Sequence, residues 1–294
     1  MSQLERIVQA CGGELYAGGR RALIPGPGHS RQDRSVSLYE TDDGRVLVHC
    51  FSPRDDWRAV AAWLQTLGLQ QSAPPSASDS APTPPRAEGL DRARVLWSEA
   101  RTIAGTYAER YLALRAIPPA FRTSAALRFH PSVTSLDDLR RRPALVAAIA
   151  DTAGALQGVQ VTLLSPTGAG KAAVATPRRV IGAMRGGAVQ LTPAGPDLVI
   201  TEGVETALSA AAVFGVPAWA ALSASNLTAF TPPAVAKRLI IAADRDETGL
   251  FAAETLAARL ADRLEVSIRP PDDFGDWNAA AMALAQRSTH PPIG

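Results

Sequence analysis

The clearest pattern of hydrophobic and polar positions lies after residue 196, where short apolar runs alternate with longer amphipathic segments. The runs 197–201, 217–223, 237–243 and 266–270 are predicted strands. Apolar residues recur at helical spacing in the intervening segments 204–215, 248–264 and 276–287. Strands that alternate with helices predict a parallel sheet with helices on both faces.

The first 70 residues carry a different pattern, with two helical segments and two alternating runs. The runs 35–40 and 45–51 are predicted strands, and Asp42-Asp43-Gly44 between them is typical of a hairpin turn. We expect this ribbon to be held by packing of Val36, Leu38, Val46, Val48 and Trp57. Residues 71–86 then bring Pro, Ser and Ala without large apolar side chains, so they are predicted to be a linker.

The middle of the chain predicts a small antiparallel α+β unit. A helix is expected over 87–116, ended by the prolines that follow it. Strands are expected at 127–131, 144–150 and 156–164, with a turn at 151–154, and a further strand pair at 178–184 and 188–191. The predicted organisation is therefore a ribbon and helix domain at 1–70, a linker at 71–86, an α+β domain at 87–195 and an α/β domain at 196–294.

Charge divides the chain more sharply than its net value of +2 suggests. Residues 86–185 hold 15 basic and 7 acidic side chains, whereas residues 186–294 hold 7 basic and 12 acidic ones. A basic segment can hold phosphates and an acidic one can hold metal, although solvated arginine faces explain the same numbers equally well.

The remaining composition excludes several classes of protein. No apolar run reaches the roughly 18–20 residues that span a bilayer, and the start of the chain lacks the pattern of an export signal. Cys11 and Cys50 are the two cysteines, which is no disulfide framework and fits a reducing compartment. A cytoplasmic protein without a membrane partner is expected.

Four acidic residues stand where the predicted strands and loops of the α/β domain meet. Glu202 directly follows one strand, Asp244 follows another, Asp246 comes two residues later, and Asp276 lies in a Gly-Asp-Trp-Asn segment. Functional groups of parallel sheets gather at the carboxyl ends of the strands, so these carboxylates are expected to converge. Converging carboxylates repel one another unless a cation neutralises them, and Mg²⁺, or Mn²⁺, suits such oxygen ligands.

These motifs resemble the Toprim domain, the metal-binding module of DnaG-type primases, topoisomerases and some nucleases. The family's Glu after a first strand and Asp-x-Asp after a later one fall on Glu202, Asp244 and Asp246. Segments 202–209 and 221–227 resemble the variant found in primases of phages, plasmids and mobile elements. That variant continues Gly-Asp-Trp-Asn with an acidic residue where this chain has Ala279, so Asp276 is left as a second metal ligand.

The resemblance extends upstream of the Toprim segment. In similar primases a small basic domain works with Toprim to hold template and nucleotide, which makes Lys171, Arg178, Arg179 and Arg185 candidates for phosphate contacts.

The first segment resembles the zinc-binding domain of these primases, but Gly26 replaces the first cysteine and the last cysteine is missing. His29 and Cys50 would be the residual ligands, and because structural zinc needs four, zinc is not expected. Arg31, Arg34, Arg54 and Arg58 are the candidates for template contact in this segment.

The functional expectation is a Mg²⁺-dependent DNA primase of a plasmid, phage or integrated element. It would act on nucleoside triphosphates (NTPs) and a single-stranded DNA template, with a separately encoded helicase as partner. A Toprim nuclease and a degenerate DNA-binding replication protein are the alternatives. The glycine-rich stretch 165–172 is not a P-loop, because Ser165 stands in place of its first Gly and Ala172 in place of its hydroxyl residue.

Overall fold

The structure is a computed structural model, and it describes residues 2–16, 18–31, 33–40, 44, 46–50, 57–69 and 85–289. The chain divides into two compact units. The first comprises Met1–Ala81 with Leu136–Asp138, and the second comprises Pro82–Ser135 with Leu139–Gly294.

The described part of the first unit packs two helices against one antiparallel sheet. The helices are α1 (Gln3–Cys11) and α2 (Trp57–Thr66), and the strands run in the order β1 (Glu14–Tyr16), β2 (Arg21–Ile24), β3 (Val36–Glu40) and β4 (Val46–Cys50). Ser2 and Glu5 form a capping box that satisfies donors at the start of α1. The predicted strand pair is confirmed as β3 and β4, while Asp42, Asp43 and Arg54 lie outside the described residues.

One packing expectation for this unit is wrong. Val36, Leu38 and Val46 are buried in its core, but the side chain of Trp57 is 50% exposed. Trp57 is the first residue of α2, and Val60 and Leu64 of that helix are buried instead. The core-facing stripe of α2 therefore begins one turn later than the apolar pattern suggested.

The second unit begins with two helices and an antiparallel sheet. The helices are α3 (Pro85–Glu99) and α4 (Tyr107–Leu114), and the strands run in the order β5 (Leu127–Thr134), β6 (Arg141–Ala150), β7 (Leu156–Leu163) and β8 (Arg178–Gly182). The single helix expected over 87–116 is wrong. Arg101 leaves helical geometry because its N–H and C=O pair with Phe129 of β5 at 2.9 and 2.7 Å, which divides the segment in two.

A mostly parallel sheet completes this unit and confirms the α/β expectation. Its strands run in the order β13 (Glu265–Ile268), β12 (Arg238–Ile241), β10 (Asp197–Thr201), β11 (Ala218–Ala220) and β9 (Val189–Gln190). The helices between and after them are α5 (Val204–Phe214), α6 (Ala224–Ala229), α7 (Glu247–Leu260) and α8 (Trp277–Thr289). All neighbouring pairs are parallel except β9 with β11.

Strand β9 departs from its predicted pairing and joins the two sheets. It was expected to pair with the β8 segment, but it pairs with β11, and the adjoining Ala188 bridges Ala150 at the end of β6. Val189 is fully buried there, so burial rather than local pattern decides its partner. The antiparallel sheet is thereby linked through β9 to the edge strand β11 of the parallel sheet.

Among the described helices, none is both long enough and apolar enough to cross a bilayer.

Candidate functional site

Three of the predicted acidic residues line one cavity at the carboxyl edge of the parallel sheet. Glu202 follows β10, Asp244 follows β12, and Asp276 precedes α8; all three border a cavity of about 160 Å³. Strands β10 and β12 are hydrogen-bonded neighbours, which is why residues 42 positions apart in sequence share this rim.

Asp246 has a different place from the one that its motif suggested. Its Oδ1 accepts the N–H of Gly249 at 2.7 Å, so it is the N-cap of α7 and does not border the cavity. Gly249 must lack a side chain, because a Cβ there would lie 2.7 Å from the carbonyl oxygen of Asp244. The Asp-x-Asp-x-x-Gly spacing thus builds a tight strand-to-helix turn that presents Asp244.

The acidic residues raise one another's pKa. Burial, followed by repulsion from Asp244 and Asp246, raises the pKa of Glu202 to about 7. Burial, followed by repulsion from Asp276 and Asp246, raises the pKa of Asp244 to about 7. Asp246 therefore contributes charge to the site even though its side chain caps a helix. Two carboxyl groups with raised pKa in one cavity make that cavity the candidate functional site.

The residues fit a divalent cation by their chemistry. Oδ1 of Asp244 is buried and has no hydrogen-bond partner among the described residues, which is costly unless another group takes it up. Carboxylate oxygens are the ligands that Mg²⁺ and Mn²⁺ prefer. Within the described ranges, however, no three His, Cys, Asp or Glu side chains already stand in metal-binding geometry.

Cationic side chains from the preceding domain border the same cavity. Lys171 from the β7–β8 loop, Arg178 from β8 and Arg115 from the end of α4 all line it. Of the predicted phosphate contacts, Lys171 and Arg178 are thus brought to the acidic residues. Arg179 instead donates to the carbonyl oxygen of Thr134 at 2.8 Å, and Arg185 is exposed and lies outside the cavity lining.

Arg178 is held by a carboxylate that the sequence analysis missed. Its Nη2 donates to both oxygens of Glu205 at 2.7 and 2.8 Å, and the hydroxyl of Tyr111 donates to the same carboxylate at 2.6 Å. Glu205 is 5% exposed, and although burial alone would raise its pKa, Arg178 and then Tyr111 hold that pKa below its ordinary value. The group joins α5, β8 and α4, that is, both halves of the second unit.

Asn278 makes a second link between those halves. Its Nδ2 donates to the carbonyl oxygen of Arg115 at 2.8 Å and to Oγ of Ser209 at 3.0 Å, and its Oδ1 accepts from Nη1 of Arg115 at 3.3 Å. The Asn of the Gly-Asp-Trp-Asn motif therefore positions Arg115, while the Asp before it borders the cavity.

The predicted residual zinc ligands take part in other interactions. Nδ1 of His29 lies 3.0 Å from Oδ2 of Asp33 and 3.3 Å from Oγ of Ser35, inside a turn of the first unit. Cys50 is the last residue of β4 and is half-buried. Partial burial would raise the pKa of Asp33, but hydrogen bonds from Ser35, His29 and Gly26 outweigh it and lower that pKa to about 2.

The residues that sequence reasoning missed are Arg115, Glu205, Tyr111 and Asn278. A signal existed for Glu205, since it is the one charged residue in the otherwise apolar or small segment 204–214. A buried charge needs a partner. The identity of that partner depends on the packing of β8 against α5, which no local pattern encodes.

Two family models match the two halves of the second unit. Residues 197–286 match the family model of the Toprim domain, and residues 87–191 match that of a domain of unknown function (DUF7146). Residues 197–286 therefore carry the Toprim domain that the motifs predicted. No curated protein matches it.

Solved structures similar to this chain include several primases. The primase fragment of the bacteriophage T7 primase-helicase is 16% identical with a TM-score of 0.44, over 92% of this chain and 98% of that one. The Aquifex aeolicus primase, zinc-binding and RNA polymerase domains, is 14% identical with a TM-score of 0.45, over 98% and 82%. A DNA primase domain from Pseudomonas aeruginosa is 14% identical with a TM-score of 0.44, over 70% and 78%. Likenesses at this level decide nothing about function.

Proposed function

We propose that this chain is a Mg²⁺-dependent, primase-like nucleotidyltransferase that makes short primers from NTPs on single-stranded DNA. The observation that carries the proposal is one cavity of a Toprim domain lined by both acidic and cationic side chains. Glu202, Asp244 and Asp276 supply the acids. Lys171 and Arg115 are cations that form no ion pair with the residues that the structure describes. A nucleoside triphosphate with its divalent cation is complementary to both sets.

The residues would divide the work by their chemistry. Asp244 and Asp276, with Glu202, would hold the cation. When bound, such an ion balances the charge that develops on the reacting phosphoryl group. Lys171 would hold phosphate oxygens as a point charge, and Arg115 through its planar guanidinium.

Glu202 is also suited to take the proton from an attacking 3′-hydroxyl, because it borders the cavity beside Asp244. Arg178 is engaged by Glu205 and would contribute to the shape of the cavity more than to phosphate binding. Arg179 and Arg185, which lie outside the cavity lining, remain candidates for contacts with the template backbone.

The proposal is tested by NTP incorporation on single-stranded templates, with wild type beside Glu202→Gln. Asp197→Asn is a matched control, since Asp197 is a carboxylate at the other end of β10, paired with Arg238 outside this cavity. Wild type and the control should synthesise short products in Mg²⁺, and Glu202→Gln should not.

Two outcomes would overturn the proposal. Shortening of labelled DNA without use of NTPs would indicate a nuclease. Salt-dependent DNA binding without either reaction would indicate a binding protein.

A further inference from the structure

The loop between β7 and β8 contains the glycine-rich stretch 165–170, which is not a P-loop and has no role in the proposed function. It folds into a tight turn directly before Lys171. The N–H of Gly168 donates to the carbonyl oxygen of Ser165 at 2.9 Å, and the N–H of Ala169 donates to Oγ of Ser165 at 3.0 Å. Lys171 then bridges back to Leu164, so the turn fixes the position from which the lysine side chain leaves the backbone.

Gly168 is the residue through which this turn packs against Tyr107 of α4. It is buried, whereas its neighbours Thr167 and Ala169 are exposed. Its φ is +68°, and a Cβ built there would lie 2.9 Å from both Cβ and the carbonyl oxygen of Tyr107. Only glycine fits this combination of backbone conformation and close approach.

Tyr107 begins a helix face that ends at Arg115, which lines the cavity. Tyr107, Tyr111 and Arg115 are spaced four residues apart, so they lie on one side of α4. Tyr111 binds Glu205, Arg115 binds Asn278, and the Tyr107 ring packs edge-on against Phe129 with centroids 6.3 Å apart. The loop thus packs against α4, and the other residues on this face of α4 bind Glu205 and Asn278 of the Toprim segment.

The side chain of Lys171 lines the cavity, where a ligand can reach it. It is half-buried, it borders the cavity, and it forms no hydrogen bond or ion pair with the described residues. Burial, followed by the nearby Arg178, lowers the pKa of its ammonium group. A partly desolvated cation without a partner is stabilised by a bound anion.

We infer that Gly168, seated on Tyr107, is a positioning residue that sets Lys171 at the point where a polyphosphate enters the cavity. The inference rests on the proposed function only for the role of Lys171 as a phosphate contact. In this view the glycine-rich turn positions the ammonium group of Lys171, and its backbone N–H groups do not bind the phosphate.

The test is a set of binding measurements on the full chain with magnesium tripolyphosphate, by isothermal titration calorimetry. Gly168→Ala is compared with Gly170→Ala, because a Cβ at Gly170 meets nothing within 4 Å and its φ is not positive. Lys171→Ala should weaken binding roughly ten- to hundredfold, as expected for loss of a hydrogen bond from a charged group. Gly168→Ala should weaken it about tenfold and Gly170→Ala less than about twofold.

The double variant Gly168→Ala/Lys171→Ala distinguishes an effect that acts through Lys171 from a general loss of structure in the binding site. If Gly168 acts through Lys171, the double variant binds no more weakly than Lys171→Ala alone. Losses that multiply, a Gly168→Ala protein that binds like Gly170→Ala, or a wild type that does not bind tripolyphosphate would each overturn the inference.

A milder variant covers the case in which Gly168→Ala does not fold. Ser165→Ala deletes the hydroxyl that accepts the Ala169 N–H, and it should fold and weaken binding about two- to fivefold. If only this variant folds, unchanged affinity refutes the inference.

Primer synthesis is scored separately. If the affinities for tripolyphosphate follow the expected order but the wild type makes no primers, only the proposed function is refuted. If the wild type makes primers but the affinities do not follow that order, only this inference is refuted.

Discussion

Replacing Glu205 by Gln would remove the charge from the buried group that joins the two halves of the second unit. Gln keeps an acceptor for the hydroxyl of Tyr111, but it leaves Arg178 without a counter-charge. Breaking a fully buried ion pair costs about 3–5 kcal/mol. Because the side chain of Arg178 is 31% exposed, water replaces part of the loss, and we expect about 2–3 kcal/mol. For a unit of this size the Tm should fall by roughly 5–10 °C.

The measurement is thermal and urea unfolding of the full chain at neutral pH, with Asp197→Asn as the matched control. That control breaks the exposed pair of Asp197 with Arg238 and should leave the Tm nearly unchanged. A Glu205→Gln protein as stable as this control would refute the argument that buried charge holds the halves together.

The same variant makes a prediction about pH. The folded pKa of Glu205 is depressed, chiefly by Arg178, so the ionised group stabilises the protein above the ordinary pKa of a glutamate. This contribution is lost as the pH falls through the folded value. The difference in stability between wild type and Glu205→Gln should therefore be constant near neutrality and should shrink on acidification. A difference that grows below pH ~4 would contradict this sign.

Three further predictions concern the acidic rim and the first unit. Asp244→Asn should raise the Tm in EDTA, because it removes a buried charge and its repulsion with Asp276 and Asp246. It should also abolish the Mg²⁺-dependent rise in Tm, and retention of that rise would place the metal elsewhere. Asp33→Asn should speed hydrogen exchange in the first unit at neutral pH, and the difference from wild type should vanish as the pH falls towards 2, where Asp33 protonates. Gly13→Ala should lower the free energy of unfolding by more than about 1 kcal/mol, and by more than Gly28→Ala does. Both glycines have positive φ, but only at Gly13 would the new Cβ meet the backbone, 2.2 Å from the carbonyl oxygen of Leu23. Equal losses in urea unfolding would show that φ strain alone matters.

Much of the architecture could be predicted from local pattern alone. Apolar runs and helical spacing located β10, β12, α5 and α7, and the rule for parallel sheets then placed Glu202 and Asp244 at one rim. These predictions succeed because strand ends and amphipathic faces are set by residues close together in sequence.

Tertiary structure alone decided the rest. The partner of β9, the break between α3 and α4, and the pairing of Glu205 with Arg178 each depend on contacts between segments far apart in sequence. Asp246 illustrates the difference: its motif predicts a ligand, and only the folded turn shows that its Oδ1 also caps the helix after Asp244. Burial and hydrogen-bond satisfaction are properties of the packed chain. Local pattern therefore placed Glu202 and Asp244 at one rim, whereas packing decided that Glu205 pairs with Arg178.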